Sequence, residues 1–102
     1  MARPREELQG ILEETSGCPR VYFQPPENIV LSYPCIIYER DRSYDIYADN
    51  KKYLLYKGYM ITYIGKNPDD PAPDRLEVLP MCSFVRHYVN DNLNHDVFLI
   101  YH

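Results

Sequence analysis

Five runs of apolar, β-branched and aromatic residues dominate this chain of 102 residues, and only two stretches have the features of helices. The strand-type runs cluster in the sequence and do not alternate regularly with the helical stretches. This order favours an α+β fold over a parallel α/β fold. We therefore predict a mostly antiparallel sheet of four to five strands with two helices packed on one face, formed by residues 1–102 as a single domain.

The two helical stretches differ in length. Apolar residues in 4–16 recur at the spacing of one buried helix face, so a helix is predicted there. Gly17 is expected to end it in a left-handed conformation, and Pro19 prevents its continuation. The second helix, of at most about ten residues, is expected to follow Asp69 or Asp70 as its N-cap, and Pro73-Asp74 is a second possible start.

The strand predictions are residues 21–23, 35–38, 53–64, 82–89 and 96–101. Consecutive apolar residues in 35–38 indicate an internal strand, and Gly58 is expected to mark a bulge or a bend. The last two strands lie close enough in sequence to form a hairpin across a turn at 90–95. The polar stretch 41–52 is expected to be an exposed connection.

Composition excludes several classes of protein. A mean hydropathy of −0.49 and the lack of a long apolar run argue against a membrane span or a membrane partner. No apolar stretch follows the first residues, so no signal peptide is expected. A net charge of −4 argues against specific nucleic-acid binding, which normally needs a basic face. We expect a protein of the cytoplasm.

The cysteines favour no disulfide framework and no zinc site. Cys18, Cys35 and Cys82 are odd in number, widely spaced and in no CxxC pair. We expect three reduced thiols. A nucleophilic pair of Cys82 and His87 is not expected either, since a spacing of five along a strand directs two side chains to opposite faces.

The predicted terminal hairpin carries a set of residues that suits a transition metal: His87, His95, His102, Asp91 and Asp96. A small metal-dependent hydrolase built on them is an alternative function. However, no HExxH or similar ligand motif supports a metal site, and scattered His and Asp residues commonly form hydrogen bonds in turns.

A second acidic group, Asp69, Asp70 and Asp74, lacks the ligand spacing and the glycine of a calcium loop. It fits a solvated turn and a helix cap. The chain also contains no P-loop, no dinucleotide-binding fingerprint and no serine elbow. We therefore expect no catalytic residues, no cofactor and no enzymatic activity.

The 11 tyrosines allow two interpretations. They can fill the core of a chain that has no Trp, or they can form an interface, because Tyr has an apolar body and a polar tip. Tyr44, Ile46 and Tyr47 are the best candidates for a subunit interface, since they lie in a polar stretch where a role in the core is less natural.

Four strings carry a resemblance to a known family: VYFQPPEN (21–28), YPCIIYERD (33–41), YMITYIGKNPDD (59–70) and CSFVRHYVNDNLNHDVF (82–98). With these strings the chain resembles the tail-terminator, or tail-completion, proteins from the head–tail joining region of long-tailed bacteriophages and prophages. The strings cover about half of the chain and the last is the most specific. The family brings no catalytic residue to carry over, and no family role is assigned to His87 or His95.

The resemblance implies a small α+β subunit that assembles with itself into a ring, typically a hexamer. The ring would cap the phage tail-tube protein and offer its other face to the head connector or neck protein. The location implied is the head–tail junction of the virion, after assembly in the host bacterial cytoplasm. A sheet edge, the 41–52 connection or both could make the contact between subunits. A head-side neck protein, a stopper or an adaptor, is the alternative that the same strings leave open.

Overall fold

The computed structural model describes residues 4–26, 28, 30–48 and 51–102, and leaves out the side chains of 44–48 and 52–55. The elements are α1 (Arg5–Ser16), β1 (Val21–Phe23), β2 (Cys35–Ala48), β3 (Lys51–Gly65), α2 (Ala72–Glu77), β4 (Cys82–Asn90) and β5 (Leu93–Tyr101). The predicted α+β fold is confirmed, with five strands in one sheet.

The sheet has the strand order β1-β2-β3-β5-β4. β1 runs parallel to β2, whereas the other neighbours are antiparallel. β2 is internal, as its consecutive apolar residues predict, and β4 and β5 form the expected hairpin. The sheet therefore ends in β1 at one edge and in β4 at the other.

Both helices pack on the same face of the sheet. Apolar residues from α1 and α2 share one buried cluster with alternate residues of the inner strands, which point to that face. The cluster consists of Leu8, Leu12, Val21, Ile36, Tyr38, Tyr59, Ile61, Tyr63, Ala72, Leu76, Phe98 and Ile100. A single core between one sheet and one helix layer follows from this arrangement.

The ends of α1 agree with the sequence prediction. Gly17 has φ 71°, and its N–H donates to the Glu13 carbonyl at 3.0 Å, which closes the helix in a left-handed cap. The Arg75 guanidinium then donates to the carbonyls of Thr15 and Ser16 at 2.8 and 2.9 Å. A cation at the negative end of a helix is favourable, so Arg75 fixes α1 to α2.

The Asp70 carboxylate lies directly before α2, although the N-cap residue of the helix is Pro71 and not Asp69 or Asp70, and the helix does not start at Pro73-Asp74. Asp70 Oδ1 accepts the N–H of Ala72 at 2.9 Å, directly before the first helical turn. Its Oδ2 accepts the Tyr63 hydroxyl at 2.7 Å. One carboxylate therefore joins α2 to the sheet.

The prediction of a connection at 41–52 is wrong for residues 41–48 and 51–52, which are strand, although 41–43 and Lys51 are exposed as expected; residues 49 and 50 lie outside the described residues. β2 continues to Ala48 and β3 begins at Lys51, and the two strands pair along this length. β3 pairs with β5 from Gly58 onward, so residues 41–48 and 51–57 form a two-stranded ribbon that projects beyond the sheet. The radius of gyration of 14.6 Å exceeds the roughly 13 Å of a compact chain of this length.

Gly58 lies opposite a bulge, as its position suggests, but the bulge belongs to β2. Arg40 pairs with Tyr59 and Ser43 pairs with Lys57, so Asp41 and Arg42 together face Gly58. A Cβ on Gly58 would lie 2.8 Å from the Arg42 carbonyl oxygen. Glycine is therefore required by the close approach of the Arg42 backbone.

The β4–β5 turn is shorter than the predicted 90–95. Asn90 pairs with Leu93, which leaves only Asp91 and Asn92 between the strands. Their φ angles are 52° and 63°, as in the type I′ turns that suit two-residue hairpins. Asp and Asn tolerate this left-handed region better than most residues, so β5 begins at Leu93 and not at residue 96.

Candidate interaction surface at the free edge of the sheet

β4 forms a long, open edge of the sheet. Among the described strands, β5 alone is hydrogen-bonded to it, and every residue from Ser83 to Asn90 is exposed. Its large apolar side chains include Val89 with 62%, Val85 with 46% and Phe84 with 45% exposure. An open edge of nine residues with apolar side chains is a template for pairing with another chain.

The ladder shows which backbone groups of β4 are directed outward. The Tyr101 N–H donates to the Met81 carbonyl at 3.1 Å, which makes Cys82–Ile100 a non-hydrogen-bonded pair. At the other end, the two-residue turn closes on Asn90–Leu93, so the next pair, Val89–Asn94, is non-hydrogen-bonded as well. The N–H and C=O of Val89 therefore point away from β5.

The opposite edge of the sheet is blunted. β1 has three residues, and its Val21 carbonyl already accepts the Gln9 side-chain amide at 2.8 Å. The Val21 N–H donates to the Pro19 carbonyl at 3.2 Å, and Pro25 and Pro26 follow without N–H groups. In the described part of the chain, β4 is thus the longer and more accessible of the two edges.

The inner side of β4 is anchored to the core. Cys82 packs against the buried cluster, and the Phe84 ring contacts the Phe98 ring edge to face with centroids 5.7 Å apart. Burial, assisted by the charge of Glu77, raises the pKa of the Cys82 thiol to about 11. The thiol is accordingly protonated at neutral pH and does not have the low pKa of a nucleophilic cysteine.

The expectation that Cys82 and His87 lie on opposite faces is wrong. Val85 is an extra residue between the pairs Phe84–Phe98 and Arg86–Val97, so the alternation of side chains shifts by one. Cys82 pairs with Ile100 and His87 with Asp96. Ile100 and Asp96 are four residues apart on β5 and share a face, and therefore Cys82 and His87 share it too.

The polar side chains of the hairpin form contacts between the strands. His87 Nδ1 lies 2.8 Å from Asp96 Oδ1, and the Tyr88 ring stacks on the His95 ring at 4.6 Å. The Arg86 guanidinium lies 5.3 Å from the centre of the Tyr88 ring. Among the described residues, no carboxylate lies within ion-pair distance of Arg86.

The residues considered for a metal site do not converge. His102 is buried at the end of β5, where its Nε2 lies 3.2 Å from the Pro4 carbonyl oxygen, whereas His95 Nδ1 lies 3.0 Å from the Leu93 carbonyl oxygen. Within residues 4–26, 28, 30–48 and 51–102, no group of three or more His, Cys, Asp or Glu side chains is arranged to hold a metal ion.

The other cysteines lie in the interior. Cys18 and Cys35 are buried and not disulfide-bonded, and the Cys18 thiol lies 3.2 Å from the Pro34 carbonyl oxygen. Burial, with the nearby Cys18 as a smaller cause, raises the pKa of Cys35 to about 11. Both thiols are therefore shielded from solvent.

The tyrosines divide between the two interpretations. Tyr38, Tyr59 and Tyr63 are buried in the core cluster, whereas Tyr88 is exposed on β4. The predicted interface residues Tyr44, Ile46 and Tyr47 lie in the projecting part of β2 and pair with residues of β3; their side chains lie outside the described part.

Sequence reasoning missed the apolar residues of β4 as a candidate surface. Phe84, Val85 and Val89 were assigned to a strand but not to an edge. The available signal was weak: apolar residues at successive positions predict burial on both faces, whereas here the bulge and the edge position expose them.

Neither helix of the described chain has the length and apolar character that crossing a lipid bilayer requires. Comparison of the chain with family models, with curated proteins and with solved structures gave no significant match.

Proposed function

We propose that this chain is a structural virion assembly protein. It forms a ring that ends the tail tube of a long-tailed phage or prophage and joins it to the head connector. The open edge of β4 is the observation that carries the proposal. The ring, typically a hexamer in the resembled family, lies at the head–tail junction.

The β4 edge supports a function in assembly because it is costly to leave unpaired. Natural proteins protect long edge strands with charges, prolines, bulges or covering elements, and β1 has such protection in Gln9 and Pro25. β4 has the Val85 bulge and the cation of Arg86, yet its large apolar side chains remain exposed. Such a surface fits a subunit that is buried in a larger assembly.

The resemblance to tail-terminator proteins supports the same function, and its strings lie in the same part of the fold. The most specific string, 82–98, covers β4, the turn and most of β5. The strings 33–41 and 59–70 cover the paired parts of β2 and β3 that carry the sheet. The likeness is therefore concentrated in the sheet and its open edge.

Deleting the gene from a phage that encodes it tests the proposal. A missing terminator should give tail tubes of abnormal and variable length, because nothing stops their growth. Tails of normal length would overturn the proposal. If free tails are normal and heads leak their DNA, the protein acts on the head side of the neck, as a stopper or an adaptor.

Electron microscopy of the purified protein tests the ring itself. Rings of uniform diameter are expected for the protein at high concentration or with tail-tube protein present. A strict monomer under both conditions would contradict a ring-forming subunit.

A further inference from the structure

We propose that β4 of one subunit pairs, by strand addition, with the projecting part of β2 (residues 41–48) of a neighbouring copy. This inference rests on the proposed function, because it names the contact that would build the ring. The second copy is favoured as the partner of β4 because the chain carries a free strand edge that complements β4 in length, backbone orientation and charge.

The projecting part of β2 has an open outer edge. β1 pairs only with Ile36, Ile37 and Tyr38, and the Arg40 N–H is within 3.3 Å of the Gln24 side-chain oxygen. Beyond Arg40, the only described strand partner of β2 is β3. Residues 41–48 therefore offer eight residues of free edge to the nine of β4.

Backbone hydrogen bonds fix the orientation of this edge. The Lys57 N–H and C=O are both bonded to the backbone of His102, at 3.1 and 2.8 Å, and so point away from β2. Ser43 is the partner of Lys57 in the ladder, which makes Ser43–Lys57 a non-hydrogen-bonded pair. The N–H and C=O of Ser43 are consequently directed outward, as are those of Val89 on β4.

Charge selects β2 over the other arm of the ribbon. Residues 41–48 carry two Asp and one Arg, a net charge of −1, whereas residues 51–57 of β3 carry three Lys. β4 carries Arg86, which no carboxylate neutralises among the described residues. Opposite charges stabilise cross-strand pairs and like charges destabilise them, so the acidic arm fits β4 and the basic arm does not.

Pairing of two β4 edges with each other fits less well. An antiparallel β4–β4 contact centred on the strand would bring the two Arg86 side chains together without a carboxylate. A contact of β4 with β2 joins two different surfaces and leaves the pair of subunits with one free β4 on one copy and one free β2 on the other. Such a heterologous contact propagates from copy to copy and closes into a ring when the rotation allows.

Two proline variants test the pairing without knowledge of the register. Val89→Pro and Ser43→Pro each remove an outward N–H and block strand addition, while the backbone hydrogen bonds within the subunit remain. Ser43→Pro also removes the exposed hydrogen bond that the Ser43 hydroxyl accepts from Arg40 at 3.3 Å. The matched controls Val89→Thr and Ser43→Thr keep the N–H. Circular dichroism and thermal unfolding establish that each variant is folded, and sedimentation velocity reports its assembly.

We expect the wild type and both controls to assemble, and each proline variant alone to assemble at least about tenfold more weakly. An equimolar mixture of the two proline variants should form a one-to-one dimer and stop there. The intact β4 of the Ser43→Pro chain can pair with the intact β2 of the Val89→Pro chain, whereas the two remaining surfaces are blocked.

The outcomes separate this inference from the proposed function. Rings that persist in both proline variants overturn the pairing but leave the ring function standing. If assembly is lost only in Val89→Pro, β4 contacts a surface other than residues 41–48 of the neighbouring copy, and the pairing is overturned as well. A wild type that stays monomeric both alone at high concentration and with tail-tube protein present contradicts both proposals. If a proline variant does not fold, Arg86→Glu should weaken assembly by repulsion from residues 41–48, and unchanged assembly would overturn the pairing.

Discussion

At the scale of single residues, the half-buried Asp70 joins the sheet to α2, and Cys35 lies buried at the start of β2. The Asp70 carboxylate accepts hydrogen bonds from the Tyr63 hydroxyl and from the Ala72 N–H. Cys35 has no exposed surface, and its pKa of about 11 reflects the poor solvation of a thiolate at that position. Each group gives a prediction at the scale of one side chain.

Tyr63→Phe should lower the free energy of unfolding by about 1–3 kcal/mol, because the change removes the hydrogen bond that a buried tyrosine donates to a half-buried carboxylate. Urea denaturation measures the effect. Tyr22→Phe is the matched control: Tyr22 is half-buried, and no hydrogen bond of its hydroxyl is found in the described part of the chain. Equal losses in the two variants would show that the bond to Asp70 contributes nothing.

Cys35 should make stability depend on pH in the alkaline range. The thiol loses its proton near pH 8.5 in the unfolded chain and near pH 11 in the folded one. Its stabilising contribution is therefore complete below pH of about 8.5 and falls as the pH rises toward the folded pKa. Urea denaturation at several pH values should show a shallower decline for Cys35→Ala than for the wild type. Parallel curves would contradict the raised pKa.

At the scale of elements, bulges decide how the strands continue. Gly58 faces the Asp41–Arg42 bulge at the base of the ribbon. The Val85 bulge shifts the alternation of side chains along β4 by one residue, so that Cys82 and His87 lie on the same face. Gly10, by contrast, is an exposed helical glycine with nothing near its Cβ position. These two glycines make a pair of opposite predictions.

Gly58→Ala should destabilise the protein by about 1–3 kcal/mol, because the added Cβ meets a backbone carbonyl that must move. Gly10→Ala should stabilise it by about 0.5–1 kcal/mol, since alanine lowers the entropy of the unfolded chain and improves helix propensity. Thermal unfolding of both variants measures the two shifts. A Gly58→Ala protein as stable as the wild type would contradict the close packing of the Arg42 backbone.

Helices and strands can be predicted from the sequence where the local signals for their ends agree with the pattern of buried residues. α1 has both an apolar face and a glycine cap, and its bounds were predicted to within one residue. The ribbon was missed because residues 41–48 project beyond the sheet, where no core imposes the alternation by which strands are recognised. The shared face of Cys82 and His87 was missed for a different reason: the Val85 bulge has no distinctive sequence signal.

At the scale of the whole molecule, the shape and the edges belong together. The longest dimension of 51 Å is about twice the shortest of 23 Å, because the ribbon extends from a small sheet. The sheet is blunted at β1 and open at β4, and the ribbon carries a second open edge on β2. A subunit with two complementary open edges suits a ring better than an isolated monomer.

Amide hydrogen exchange, compared between the concentrated, assembled protein and the dilute protein, measures whether the edge of β4 becomes paired. We expect exchange at Val89, whose N–H points outward, to slow by about tenfold or more on assembly. The N–H of Lys66, in the exposed turn after β3, should be unaffected. An assembled protein in which the Val89 N–H exchanges as fast as in the dilute protein would contradict the assignment of β4 as the contact between subunits.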